Sequence, residues 1–239
     1  MSVVTASGAT YKNIEEFWAK HKTAAWLDAT EKYYSNQDAT VAGMLGGLED
    51  SVRDDIPRSL KFIQRLHTKG IIPSLPVPRG LDCGAGVGRV TKALMLKVAK
   101  EVHMLEPCQR FLDSSIELVG SDAVTQRYCA TFTSFDPPKD ACYDIIWIQW
   151  AIGYITDAEM HGVLTKLRAS LSETGVLIIK DNTTSNSSYF LDDDDNFLIR
   201  PAIAVKRHAT NAGFKLADHA VETRPGLYPV HVWAFVAEG

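Results

Sequence analysis

The stretch LDCGAGVGR (81–89) constrains this chain more than any other, because Gly84, Gly86 and Gly88 fall at alternate positions between an apolar run and a helical one. A turn of this kind, where a strand hands over to a helix, lets a ligand approach the backbone closely. It also belongs to one architecture, in which strands and helices alternate around a parallel sheet. From Gly80 onward the sequence keeps that alternation. A helix over 90–99 precedes a strand at 101–107, a helix at 111–119 and a strand near Val124–Cys129. The apolar run YDIIWIQW (143–150), a helix over 156–171 and the strand GVLIIKDN (175–182) come next. A helix near 199–212 and strands at 214–221 and 227–236 complete the series. Asp144–Ile148 and Val176–Ile179 are apolar on both faces, as strands between two helix layers must be. The last two strands, joined by RPG (224–226), suggest an antiparallel hairpin at the sheet edge.

Upstream, residues 11–35 read as one helix, with Ile14, Phe17, Trp18 and Trp26 carrying the apolar spacing. ATVAGMLGG (39–47) reads as a small-residue loop, and 57–69 as an amphipathic helix with Leu60, Ile63 and Leu66 inward. The proline-rich IIPSLPVPRG (71–80) ends helix formation. We therefore expect a single domain over 1–239, with a helical cap over 1–79 and a core over 80–239.

Composition excludes several functions. At 239 residues and 46% hydrophobic, the chain can bury a full core. The formal net charge is −4 and Asp192–Asp195 alone supplies four negatives, so the remainder balances and no broad basic face for nucleic acid is expected. Met1–Thr10 lacks the basic start and apolar run of a signal peptide, and no apolar stretch is long enough for a membrane span. Cys83, Cys108, Cys129 and Cys142 show no C-x-x-C spacing, and no histidine pair sits at ligand spacing. Reduced thiols, no bound metal and a cytoplasmic or nuclear setting are the expectation.

The glycine turn also narrows the ligand. A dinucleotide fingerprint, G-x-G-x-x-G, would need a third glycine at position 89, which is Arg89. No G-x-x-x-x-G-K-[ST] is present for a nucleoside triphosphate. Glu106 ends the second strand, where a carboxylate can accept from both hydroxyls of a ribose lying across the carboxyl edge. Arg89 can clasp a carboxylate in a bidentate fork. A nucleoside joined to an amino acid without phosphates meets these terms, which makes S-adenosylmethionine the expected cofactor.

Five segments taken together, TVAGMLGG (40–47), LDCGAGVGR, YDIIWIQWAIGYITD (143–157), LIIKDN (177–182) and LDDDD (191–195), resemble the protein α-N-terminal methyltransferases. Those enzymes methylate the free amino terminus of proteins that begin Xaa-Pro-Lys or Xaa-Pro-Arg. The resemblance runs from Tyr33 to Val236, in order. Pattern and resemblance together give an α/β fold: a seven-stranded, doubly wound, Rossmann-like methyltransferase sheet with an antiparallel C-terminal edge hairpin under an N-terminal helical cap. The resemblance implies that Gly84, Gly86, Arg89 and Glu106 hold the cofactor, helped by Phe132, Thr133 and Gln149. It implies that Trp150, Asn182, Asp192, Asp195 and Tyr228 line a peptide site covered by Leu45 and Tyr34. The partners it implies are N-terminal segments of other proteins, met by a monomer with no role for nucleic acid or membrane.

The side chains agree with this on their own chemistry. Gln149 and Trp150 end the fourth strand and Asn182 the fifth, which sets them at one edge of the sheet. An indole face suits a proline ring or a cation, and an amide can fix a peptide carbonyl or amine. The loop carrying Asp192–Asp195 leaves the fifth strand over that edge. On charge alone a run of four aspartates reads as a solvated surface loop. The resemblance makes it a site, with Asp192 expected to meet a basic side chain, Asp195 the amine, and Asp193 and Asp194 solvated. Only a neutral amine attacks a methyl donor, so a base is required. Related enzymes carry histidine after WIQW-I-G, whereas this chain has Tyr154, and a phenol with a reference pKa of about 10 is a poor base. Asp195 is therefore the expected base, with Tyr154 orienting or relaying. Residue chemistry alone leaves open another amine acceptor, a non-catalytic cofactor-binding scaffold and, more remotely, a hydrolase built on Cys83. An aromatic N-P-P-Y-type motif for nucleobase amines is missing after the fourth strand, which reads QWAIGY.

Overall fold

The computed structural model describes residues 1–21, 23–47 and 53–238. Two short strands open the chain, β1 (Val3–Thr5) and β2 (Thr10–Tyr11). Helices α1 (Ile14–Lys20), α2 (Thr23–Ser35), the single turn α3 (Val41–Met44) and α4 (Asp55–Thr68) follow. The expected single helix over 11–35 is therefore two, and one residue of it, Lys22, lies outside the described set. At the break His21 is extended (φ −109°, ψ 105°) and its ring Nδ1 lies 2.9 Å from the Phe17 carbonyl, a local bond that competes with helix propagation. The expected loop at 39–47 contains α3, because the Thr40 hydroxyl accepts from Gly43 N–H and caps one turn. In α4, Ser59, Phe62, Ile63 and Leu66 are buried at helical spacing, whereas Leu60 is only partly covered.

The core alternates as expected. β3 (Val77–Cys83) leads through the glycine turn into a helix that is π over Thr91–Met95 and α over Leu96–Val98 (α5). β4 (Ala99–Glu106), α6 (Gln109–Val119) and β5 (Val124–Cys129) come next, then β6 (Tyr143–Gln149), a 3-10 turn at Ile152–Tyr154, and α7 (Asp157–Ala169). β7 (Leu171–Thr184) is followed by β8 (Tyr189–Asp192), β9 (Phe197–Pro201), α8 (Ala202–Asn211), β10 (Phe214–Glu222) and β11 (Val230–Ala237).

Seven strands form the central sheet in the order β5-β4-β3-β6-β7-β11-β10, and only β11 runs against its neighbours. Two apolar layers cover it. α4, α5 and α6 pack on one face around Leu94, Trp147 and Ile178; α7 and α8 pack on the other around Leu164, Val205 and Ile146. The strand order reverses between β3 and β6, so the carboxyl ends of these strands flank a crevice, the usual ligand site of an open α/β sheet.

The cap holds an unforeseen feature. β1 pairs parallel with β8, β8 pairs antiparallel with β9, and β9 joins the end of β7 through Thr183 and Thr184. This second small sheet overturns the reading of 199–212 as helix from its start, since 197–201 is strand. Phe197, Leu198 and Ile199 are all buried, which strand pairing with Phe190–Asp192 achieves and an exposed helix end would not. The cap is correspondingly not all helical. Asp192 ends β8, opposite Phe197, and residues 193–196 form the turn between β8 and β9.

Candidate active site

Two adjacent chambers occupy the carboxyl edge, sharing Tyr34, Met44, Leu45, Trp150 and Tyr154 as common wall. The inner one is floored by the glycine turn after β3 and walled by side chains from α2, α3 and the ends of β4 and β6. Gly84 sits at φ +72°, and a Cβ there would fall 2.5 Å from Ala151 Cβ, so only glycine lets the β3 turn pass under the loop after β6. Gly86 N–H donates to Glu106 Oε2 (2.9 Å), and Cys108 N–H donates to Oε1 (3.0 Å). These bonds hold the carboxylate at the wall with a lone pair left on each oxygen. Burial pushes its pKa up to about 7, against the pull of the two N–H donors.

Arg89, Phe132, Thr133 and Gln149 all line this chamber, but two of them are more committed than expected. Arg89 Nη1 donates to Asp55 Oδ2 (2.9 Å), and its guanidinium lies 5.3 Å over the Trp150 ring. Gln149 donates from Nε2 to the same Asp55 oxygen (2.8 Å) and accepts from Trp147 Nε1 (3.0 Å). Asp55, on α4, was not foreseen. It is fully buried, and Lys180 Nζ lies 2.5 Å from its other oxygen, so it joins β3, β6 and β7 under both chambers. The cationic partners Lys180 and Arg89 hold its carboxyl below the usual range although burial opposes them. Lys180 did carry a signal, as a lone charge inside the apolar strand LIIKDN; Asp55 carried none.

The outer chamber, a cavity of about 420 Å3, is lined by Asn182, Asp192, Asp194, Asp195 and Tyr228 together with Leu45 and Tyr34. Trp150 divides it from the inner one at φ +51°, a region non-glycine residues rarely enter. Its indole N–H is buried and has no acceptor. Asp195 is the best-held carboxylate of the turn. Its Oδ1 accepts from Phe197 N–H (3.0 Å) and its Oδ2 from the Tyr154 hydroxyl (3.1 Å). Burial first, and Asp192 second, push Asp195 up to about 6. The Tyr154 hydroxyl also bonds to the Tyr34 hydroxyl, and burial pushes both phenols well above their ordinary pKa. Tyr154 is thus a proton donor to Asp195 and no base.

The aspartate run is divided by function of place. Asp193 turns away and accepts from Ser7 N–H (2.7 Å), fastening the turn to the segment after β1. Asp194 is exposed, yet it stands at the rim of the outer chamber. Asn196, at φ +62°, donates to the Trp26 carbonyl (2.9 Å) and to the Thr30 hydroxyl (3.2 Å), and Trp26 Nε1 donates to the Tyr154 carbonyl (3.1 Å). α2 is thereby tied over the site. Asp181, next to Asn182 in β7, is buried beneath it; it accepts from Asn182 and Ile152 N–H, and burial pushes it up to about 7. Among the described residues no three metal-binding side chains cluster, and no helix is long and apolar enough to cross a membrane.

A sheet of this strand order, with a glycine turn and an acidic residue at the ends of its first two core strands, defines the Rossmann-like methyltransferase class. The profile of the family described as AdoMet dependent proline di-methyltransferase matches residues 22–236, and the chain belongs to that family. It is 35% identical to the human N-terminal Xaa-Pro-Lys N-methyltransferase 1, over 92% of this chain and 95% of that protein. Identity is 34% to the alpha N-terminal protein methyltransferase 1 of Dictyostelium discoideum, over 98% and 90%. A solved SAM-dependent methyltransferase from Leishmania major superposes with a TM-score of 0.88 at 28% identity, covering 98% of this chain and 96% of that one.

Proposed function

We propose that this chain transfers methyl groups from S-adenosylmethionine to the α-amino group of protein N-termini that begin Xaa-Pro-Lys or Xaa-Pro-Arg. The observation that carries the reading is the junction of the chambers, where Asp195, held by Tyr154, stands in an acidic outer cavity that shares Trp150 and Tyr154 as wall with the inner one. The inner residues fit the cofactor. Among the described residues Glu31, Glu106 and Glu159 outnumber the cation Arg89 along its wall, which suits a cationic, phosphate-free nucleoside and repels phosphates. Gly84 and Gly86 would let the backbone close on it, Glu106 would accept from its ribose, and the remaining N–H groups of Arg89 would take its carboxylate. Phe132, Thr133 and Gln149 would complete the wall. When bound, the cofactor supplies a methyl group on a sulfonium.

The chain's own residues do the rest. Asn182 fixes the first residue of the acceptor, while the Trp150 face and Leu45 enclose the proline ring. Asp192 meets the basic third side chain, and Tyr228 closes the rim. An α-ammonium has a pKa of ~7.7–8.0 and must lose its proton before it can attack. Asp195 at about 6 takes that proton with an uphill cost of about 2.5 kcal/mol, against about 5.5 for an ordinary aspartate. Tyr154 and Tyr34 orient the carboxylate and keep their own protons. We place the enzyme, as a monomer, in the cytoplasm or nucleus; the four free cysteines support that setting.

The test uses purified protein, S-adenosylmethionine and a short peptide starting Ser-Pro-Lys, with mass spectrometry counting methyl additions and an N-acetylated copy as control. Methylation of the free peptide alone is expected. No transfer to it, with cofactor still bound, overturns the assignment in favour of another amine or a scaffold.

A further inference from the structure

The mechanism above leaves one wall of the outer chamber without a task. In the register of β10, β11 and β7, Glu222 lies opposite Val230 and Val230 opposite Asn182, so these three side chains form a row on one face of the sheet. All three line the chamber, and Arg224 joins them just beyond β10. Glu222 is only 8% exposed, and its Oε1 accepts from Lys180 Nζ at 2.9 Å. That bond draws its head back across β11 towards β7 and Asn182. Its other oxygen, Oε2, is buried and accepts no hydrogen bond. Arg224 Nη2 lies 3.9 Å from Oε2, too far for a hydrogen bond, and is likewise buried without an acceptor.

The two charges attract at 3.9 Å, yet neither atom has a hydrogen bond, and a ligand that bonds both recovers that free energy. The group that does so must donate and accept at adjacent atoms. A hydroxyl or a primary carboxamide meets that demand; a methyl group or an alkyl chain does not. Within the proposed acceptor one group is still without a place. The amine points to the inner chamber, the proline ring rests between Trp150 and Leu45, and the basic third residue faces Asp192. The side chain of the first residue branches from the carbon that bears the amine, beside Asn182, and Glu222 with Arg224 is the wall it faces.

We propose that Glu222 and Arg224 form the subsite for the acceptor's first side chain and select one that both donates and accepts a hydrogen bond, as serine, threonine or asparagine does. This inference rests on the N-terminal acceptor reading and adds the determinant of its first position. A site built to pair a hydroxyl rejects the analogue that lacks it, because its own polar atoms are then left unpaired.

The experiment compares kcat/KM for free-amine peptides that differ only in the first residue, Ser, Asn, Ala or Val before Pro-Lys. The wild-type chain is expected to favour Ser and Asn over Ala by about 10- to 100-fold, the range one unpaired buried polar group gives. In Arg224→Leu the ratio should collapse to within about threefold, and Arg224→Lys should restore part of it, since its ammonium still donates. Circular dichroism and the thermal midpoint verify that each variant folds; should Arg224→Leu fail there, Glu222→Gln reads the same ratio from the acceptor side. A wild-type ratio within about threefold, or a ratio that survives in the folded variant, overturns the subsite while leaving the N-terminal acceptor intact. Absence of transfer to every peptide, with cofactor bound, overturns both.

Discussion

The two chambers are made by different means. The inner one gathers around the turns at the ends of β3, β4 and β6, and its key carboxylate, Glu106, is positioned by two backbone N–H groups. The outer one shares α2 and α3 with it and adds the end of β7, the β8–β9 turn and the start of β11, and its key carboxylate, Asp195, is positioned by a phenol that itself leans on another phenol from a distant helix. A cofactor that never changes is met by backbone, which tolerates substitution around it. An acceptor that varies is met by side chains, which can be exchanged singly.

This contrast can be broken experimentally. The largest separation is expected from Asp195→Asn, which should lower kcat by about 100- to 10,000-fold, the usual worth of a general base, with the dissociation constant for S-adenosylhomocysteine unchanged by calorimetry. Loss of cofactor affinity in that variant would mean that the chambers are not separable. The reverse is expected of Gly84→Ala. Its Cβ would sit 2.5 Å from Ala151 Cβ at a φ of +72°, so calorimetry should show affinity for the cofactor falling by about 100-fold while the acid limb of the pH–rate profile keeps its position.

Tyr154→Phe should act more gently, lowering kcat by about tenfold. The lost O–H bond favoured the ionised form of Asp195, so the acid limb should move upward from about 6. A limb that stays in place would deny Tyr154 its positioning role. The smallest effect concerns pH alone. Glu106 takes up a proton as pH falls through about 7, and a protonated carboxyl accepts from the ribose less well, so cofactor affinity should be about threefold to tenfold weaker at pH 6 than at pH 8. Turnover at saturating cofactor should instead hold until Asp195 protonates near 6. Coincident limbs would tie both effects to one group.

The inner chamber was the more legible of the two in the sequence. Gly84, Gly86, Arg89 and Glu106 lie within 23 residues and follow from one rule about strand ends, and the structure sets them along one wall. Trp150 and Asn182 were legible as candidates through strand-end position, whereas Asp192 and Asp195 stood out of the aspartate run only through the family resemblance. What escaped was their support. The bond from Asp55 to Gln149 spans 94 residues, and Tyr34 meets Tyr154 across 120. Asn196 reaches Trp26 across 170. No local pattern in the sequence encodes such partners. The strand at Phe197–Pro201 was missed for the same reason, because its buried face depends on β8 and the N-terminal β1.

By itself the sequence determined the alternating α/β order, the glycine turn and the acidic strand end, because these rest on local rules of backbone geometry and apolar periodicity. Only the tertiary structure decided which aspartate of a run of four is held by a tyrosine, which one fastens the N-terminal segment and which one meets water. Four identical side chains share one local propensity, and burial, charge and hydrogen-bond partners are supplied by elements far away in the chain.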